Sequence, residues 1–277
     1  MMNNLRDLVG KTKGTPAMPV LFVGHGSPMN AIEDNLFSRK WRQIGEELPR
    51  PSAILCISAH WETNGTFVTA MPGPETIHDF GGFPCELFKV QYPAPGNPAL
   101  AATIQEEIKQ YPVELNTDWG LDHGSWSILR HIYPAADIPV LELSIDYTRG
   151  MQYHYDLAKE LAFLRRRGVL IVGSGNMVHN LRLIHVKSIE GFNEPYGYDW
   201  ALEMNDIFKR KIRSADHQAL IDYPSLSKAA KLAIPTPDHY IPLIYALSLQ
   251  EKKDDIQFFN DQALAGSLTM TSVIIRQ

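Results

Sequence analysis

The chain has 277 residues, enough for one large α/β domain or two small ones. Hydrophobic residues make up 44 % and charged residues 21 %, ordinary values for a globular chain, so a full-sized core is available and disorder is disfavoured. A formal net charge of −5 argues against a general binder of nucleic acid or of a membrane surface, and no apolar run approaches the ~18 residues of a membrane span.

In chain order, residues 1–17 mix charges, glycines and threonines and read as a flexible leader, with a single α/β domain expected over 18–277. Buried strands are expected at Val20-Leu21-Phe22-Val23 and Ile54-Leu55-Cys56-Ile57, and again at Val140-Leu141-Glu142-Leu143 and Val169-Leu170-Ile171-Val172. Apolar runs of this length suit strands covered on both faces of a mostly parallel sheet. The segment from Gly65 to Pro98 is rich in proline and glycine, and its aromatics (Phe80, Phe83, Phe88, Tyr92) predict an ordered loop packed over something. Helices are expected from Pro98 to about Gln110, from Met151 to Arg167 with Gly168 as stop, from Tyr198 to Arg213, and from Pro242 through Leu249. Residues 267–275 read as a last strand. Strands alternating with helices give the expected class: α/β, one domain, helices on both faces of a central sheet. Cys56 and Cys85 cannot make a disulfide framework, and a reducing cytoplasm is the expected compartment.

The ten histidines carry the chemistry. In open α/β sheets ligands bind beyond the carboxyl ends of the strands. Three expected strands run into histidine there: Gly24-His25-Gly26, Ala59-His60-Trp61 and, a few residues later, Val178-His179-Asn180. His239 sits between Pro237 and Pro242, in a stiff entry to a helix. His123 follows Asp122, a credible N-cap, so the helix macrodipole should disfavour its cation and leave a neutral ring that donates a hydrogen bond. His78 lies in the aromatic loop and could line a pocket. His131, His154, His185 and His217 read as surface residues. Converging imidazoles suit Zn, Fe, Cu or Ni, and the pattern alone leaves a metal enzyme with its metal undecided. A serine hydrolase elbow and a P-loop are both missing from the sequence.

Six motifs then stand in order along the chain: Gly24-His25-Gly26-Ser27-Pro28, Ser58-Ala59-His60-Trp61, His78-Asp79-Phe80-Gly81-Gly82-Phe83-Pro84, Asp122-His123-Gly124-Ser125-Trp126, Gly175-Asn176-Met177-Val178-His179-Asn180 and Pro235-Thr236-Pro237-Asp238-His239-Tyr240. Together they resemble the class III extradiol ring-cleavage dioxygenases, in the branch that acts on DOPA. The resemblance implies one catalytic domain, one non-haem divalent metal, and O2-dependent opening of a catechol. Carried over by motif, it implies His25, His60 and His239 as metal ligands, His239 standing where other members place a glutamate. It implies His179 as the acid/base, near enough to count as a further ligand, and His123 as a catalytic group beside the substrate. Phe80, Trp126 and Tyr240 are expected with His123 against the substrate ring. Fe(II) is the expected active metal, with Zn(II) able to occupy the same site. A zinc hydrolase, or a binding or redox-signalling module on the same fold, are the competing expectations; neither nucleic acid nor membrane is an expected partner.

Overall fold

The computed structural model describes residues 17–186 and 190–277, so the leader expected over 1–17 lies outside the described residues except for Ala17, which is buried. The strands are β1 (Val20–Gly24), β2 (Ala53–Thr63), β3 (Thr66–Thr69), β4 (Val113–Asn116), β5 (Val140–Asp146), β6 (Val169–Gly175), β7 (Asp255–Phe259), β8 (Ala263–Leu264), β9 (Leu268–Thr269) and β10 (Ser272–Arg276). The helices are α1 (Leu36–Glu47), α2 (Pro98–Glu107), α3 (His123–Ile132), α4 (Met151–Glu160), α5 (Asp199–Arg213), α6 (His217–Ile221), α7 (Ala230–Ala233) and α8 (Ile241–Ser248). Eight strands make one sheet in the order β4-β3-β5-β2-β6-β1-β10-β7, while β8 and β9 form a separate ribbon. Its centre is parallel, from β5 through β2 and β6 to β1. Antiparallel pairing joins β3 to β5 and adds β10 and β7 at the other edge.

The continuous apolar runs have a direct physical reason. Successive strand residues point to opposite faces, and both faces are covered. Val20 and Phe22 enter one core while Leu21 and Val23 enter the other; Leu55 and Ile57 divide from Ile54 and Cys56 in the same way. The first core is closed by α2, α4, α5 and α8 through residues such as Ile104, Leu157, Phe208 and Leu243. The second is closed by α1 and α3 through Phe37, Trp41, Ile128 and Leu129. Burying each of these large side chains is worth roughly 1.5–3 kcal/mol.

Several elements differ from the sequence expectation. β3 lies inside the segment read as loop, and α1, β4 and β7 were not anticipated. The start of α1 did carry a local signal, because Asn35 and Ser38 form a reciprocal capping box. The helix expected over Met151 to Arg167 is α-helical only to Glu160 and continues as a tighter 3-10 segment to Arg167, ended by Gly168 in the left-handed region. The last strand is interrupted at Met270 and Thr271, between β9 and β10.

Three of the four histidines read as surface residues are not on the surface. His131 is buried and bonded to the Asn30 carbonyl (2.8 Å), with Arg42 Nη1 3.3 Å from its other ring nitrogen. His154 is fully buried, with Nδ1 3.1 Å from the Tyr245 hydroxyl. His217 is half-buried between Tyr155 and Gln250 (both 2.9 Å), and His185 is exposed as expected. Their helices each turn one polar position inward, where a partner on another element satisfies it. Among the described residues no helix is long and apolar enough to cross a membrane.

Candidate metal centre

β1 delivers His25 to the carboxyl edge of the sheet, where its N–H still donates to the Gly175 carbonyl of neighbouring β6 (3.1 Å). Gly26 follows with φ +62°, a left-handed turn that lets the chain swing away at once. The His25 ring is set by Ser174. That hydroxyl donates to the Gly124 carbonyl (2.5 Å), so it accepts from His25 Nδ1–H at 3.0 Å. The lone pair of His25 is therefore on Nε2.

His60 lies within β2 rather than after it, in a stretch where pairing with β5 breaks register between Ile57 and Glu62. Such an irregularity re-aims a side chain that a regular pleat would send elsewhere. Its Nε2 stands 3.1 Å from His25 Nε2, and its Nδ1 is 3.9 Å from Asp79 Oδ2, which favours the proton on Nδ1.

His239 arrives from the other side of the sheet edge. Its turn is closed by Tyr240 N–H on the Pro237 carbonyl (2.9 Å), and its own carbonyl accepts Asn176 N–H (2.9 Å). That contact depends on Gly175, whose Cβ, if present, would lie 2.1 Å from the His239 oxygen. His239 Nδ1 donates to Asp238, leaving Nε2 free. His179 is held by its backbone, with N–H donating to the Ala233 carbonyl (2.9 Å), and its ring stacks on His239 at 3.5 Å between centroids and 9° between planes.

His123 opens α3, with Asp122 as N-cap. Glu142, buried behind this turn and pushed well above the usual carboxylate range by burial and then by Asp122, accepts the Asp122 N–H (2.9 Å). Asp79 clamps His123 twice, accepting its backbone N–H (2.9 Å) and its Nδ1–H (2.8 Å). This corrects the expectation that a neutral His123 donates towards the substrate. With the proton on Nδ1 spent on Asp79, a neutral ring offers only the Nε2 lone pair, an acceptor or a ligand.

The donor set fits a metal ion. The rings of His25, His60 and His239 form a nearly equilateral triangle, with centroids 5.0, 5.2 and 5.0 Å apart. Imidazoles bound at about 2.1 Å around one face of an ion place their centroids roughly 4.6–5.2 Å apart. The ligand atoms themselves fall into two groups, each within 4.8 Å, His25 with His60 and His123 and His239 with His179 and Asp238, so His239 joins His25 and His60 by the placement of its ring. His123 is thus a nearer neighbour of the centre than its motif implied, with its centroid 3.9 Å from that of His60.

Burial, followed by the neighbouring imidazoles, holds His25 and His60 well below the ordinary histidine value. Burial, followed by His239, lowers His179 to about 3 against the opposing pull of Asp238. Neutral imidazole is the form a metal binds. The same shifts tie stability to pH. His25, His60 and His179, with His154 lowered to about 4 mainly by burial, are neutral when folded and free to protonate from pH 6.5 downward when unfolded. The unfolded chain then binds more protons, so the stability present above pH 6.5 is lost as pH falls towards the folded values. The melting temperature of the metal-free protein is expected to be lower at pH 5 than at pH 7. A flat profile over that range would show that these rings protonate in place.

All five histidines line one cavity of about 800 Å³, walled by Phe80, Phe83, Leu181, Ile184 and Phe192. Phe80 meets the His123 ring edge-on at 5.5 Å. Two residues expected at the substrate do not line this cavity. Tyr240 is 1 % exposed and donates its hydroxyl to the Leu220 carbonyl (3.0 Å), because the turn that aims His239 at the cavity sends the next side chain into the core. Trp126 is fully buried with Nε1 donating to the Ile77 carbonyl (2.8 Å), and backs Phe80 from behind. His78 is tied to the Val90 carbonyl (2.9 Å), so it braces the loop. Asp79, Ser174 and Asp238 were not singled out from sequence. Asp79 and Asp238 each stand inside a motif beside a histidine, which is a usable signal, whereas Ser174 only borders the motif that opens at Gly175. A smaller cavity of about 470 Å³ beside Arg42, Tyr92 and His131 holds none of these five rings.

Comparison with known proteins gives a consistent result. A 4,5-DOPA dioxygenase extradiol of Escherichia coli (strain K12) is 45 % identical over 262 residues, covering 93 % of this chain and 94 % of that protein. A protein of the same description from Beta vulgaris is 38 % identical, covering 82 % of this chain and 84 % of its own length. The crystal structure of an uncharacterised Escherichia coli K12 protein superposes with a TM-score of 0.80 at 40 % identity, over 93 % of this chain and 99 % of that one. Residues 17–267 match the family described as the catalytic LigB subunit of aromatic ring-opening dioxygenase, and the chain belongs to that family.

Proposed function

We propose that this protein opens the ring of a DOPA-like catechol with O2, using one divalent metal held by His25, His60 and His239. The observation that carries the proposal is the triangle of three imidazoles in an apolar-walled cavity of about 800 Å³ that His179 and His123 also line. Fe(II), when bound, supplies a Lewis acid that lowers the pKa of a catechol hydroxyl and the electrons that activate O2. Zn(II) lacks that redox chemistry and would fill the same ligands without turnover.

The remaining steps belong to the chain. Phe80 and Phe83, packed edge to face at 5.4 Å, make one apolar wall against which a flat ring can lie and keep water from it. His179 accepts the second catechol proton and returns it when the ring opens. Its free basicity is low, but a phenolate beside it stabilises the imidazolium and raises that basicity. Asp79 fixes the His123 ring, so the Nε2 lone pair stands ready for a hydroxyl proton or for the metal.

The test is anaerobic loading with Fe(II), followed by O2 and a panel of 4-substituted catechols. One O2 is expected to disappear per catechol, with both oxygen atoms in a coloured ring-opened product. Metal-loaded protein that consumes no O2 with any catechol would overturn the proposal, and hydrolysis of esters by the zinc form would move the site to the hydrolytic class.

A further inference from the structure

The cavity wall carries a charge for which the ring chemistry has no use. Glu33, in the turn after β1, is the only Asp, Glu, Lys or Arg among the described residues that line the cavity. Its neighbour Asp34 is neutralised by Arg39 and Arg42, whereas Glu33 Oε2 is held by two neutral amides, Asn193 Nδ2 at 2.8 Å and Asn35 Nδ2 at 3.1 Å. Those bonds fix the carboxylate without cancelling its charge.

We infer that Glu33, with Asn193, recognises the substrate's tail and selects catechols bearing a protonated amine over catechols whose tail is neutral or a carboxylate. The inference rests on the ring-cleavage reading above. The two residues come from distant segments, one after β1 and one before α5, and both face the cavity that holds the histidines. An ammonium has three N–H donors and no acceptor. Among the described residues, Glu33 Oε1 and Asn193 Oδ1 are the acceptors left over once the Asn193 amide has bonded to Oε2. Phe83, Leu181, Ile184 and Phe192 supply apolar wall for the methylenes that join ring to amine. A carboxylate at the same place meets like charge, which an interface penalises. An amino-acid tail, carrying both, falls between.

The experiment uses the Fe(II)-loaded wild type beside Glu33→Gln and Glu33→Lys. The probes differ only in the tail: 4-(2-aminoethyl)catechol, 4-ethylcatechol and 3-(3,4-dihydroxyphenyl)propanoate. Both kcat/KM and anaerobic binding are measured. In the wild type the amine is expected to exceed the ethyl compound by about tenfold, the order of one charge-assisted hydrogen bond. Because Glu33 is half-buried, that ratio should shrink as salt is raised. It should approach one in Glu33→Gln, and the carboxylate should become the preferred tail in Glu33→Lys. An amine-to-ethyl ratio equal in wild type and Glu33→Gln, or a wild-type preference for the carboxylate, would overturn the assignment. If 4-ethylcatechol is opened normally while the ratio stays flat, the tail assignment alone fails. If no catechol binds, the ring-cleavage reading fails and takes this inference with it.

Discussion

His60→Ala is expected to leave the purified protein with little metal and no ring-opening activity. His60 is one corner of the three-imidazole triangle, and its Nε2 meets that of His25 at 3.1 Å. Two remaining neutral ligands do not make a firm site, since stable protein sites for such ions use at least three. Losing an outer partner of a ligand already weakens metal by about 10–100-fold, so losing the ligand itself should exceed that. The side chain is partly exposed, 20 % by area, and lies at an irregular stretch of β2, so the fold should survive its truncation. Elemental analysis after dialysis against a weak chelator measures the outcome. Full occupancy in His60→Ala would remove His60 from the ligand set and move attention to His123, whose ring lies 3.9 Å away between centroids.

His179→Ala is expected to keep most of its metal, still bind catechol without O2, and lose turnover by ~10²–10⁴-fold. That factor corresponds to about 3–5 kcal/mol of barrier. His179 reaches the cavity through a run of irregular backbone after β6, while His25 follows its strand directly and His60 lies within one. It touches the proposed ligand His239 by stacking, not by a side-chain hydrogen bond, so its removal exposes one face of that ring and leaves Nδ1 on Asp238. Single-turnover rates at fixed metal content separate the two roles. If metal content falls as far as in His60→Ala, His179 is a ligand first and a base second.

The parts of this protein legible from sequence share one property: they depend on residues close together in the chain. Three runs of consecutive apolar residues, and a fourth broken only by Glu142, indicate that both faces of the sheet are covered, because a strand exposed on one face alternates. Gly168 marked the end of a helix, and Asp122 the start of one, through backbone geometry that spans a few residues. His25 and His179 were found by their position after strands, a rule that follows from parallel topology itself. His60 was found by the same rule for an imperfect reason. β2 runs on past it, and a break in register, not the strand's end, turns it to the cavity.

What the tertiary structure decided are contacts between segments that nothing in either segment announces. Asp79 comes from the aromatic loop to hold His123, 44 residues on, and Ser174 comes from β6 to orient His25, 149 residues back. Such partners fix which nitrogen carries the proton, and thereby reversed the hydrogen-bond role expected of His123. Tyr240 and Trp126 show the converse. Each sits in the right motif, yet a one-residue step in a turn or on α3 turns its ring into the core, where its polar atom finds a backbone carbonyl. A motif determines which residues reach a site's neighbourhood. Side-chain direction, set by local φ and ψ and by the packing of distant elements, determines which of them enter it.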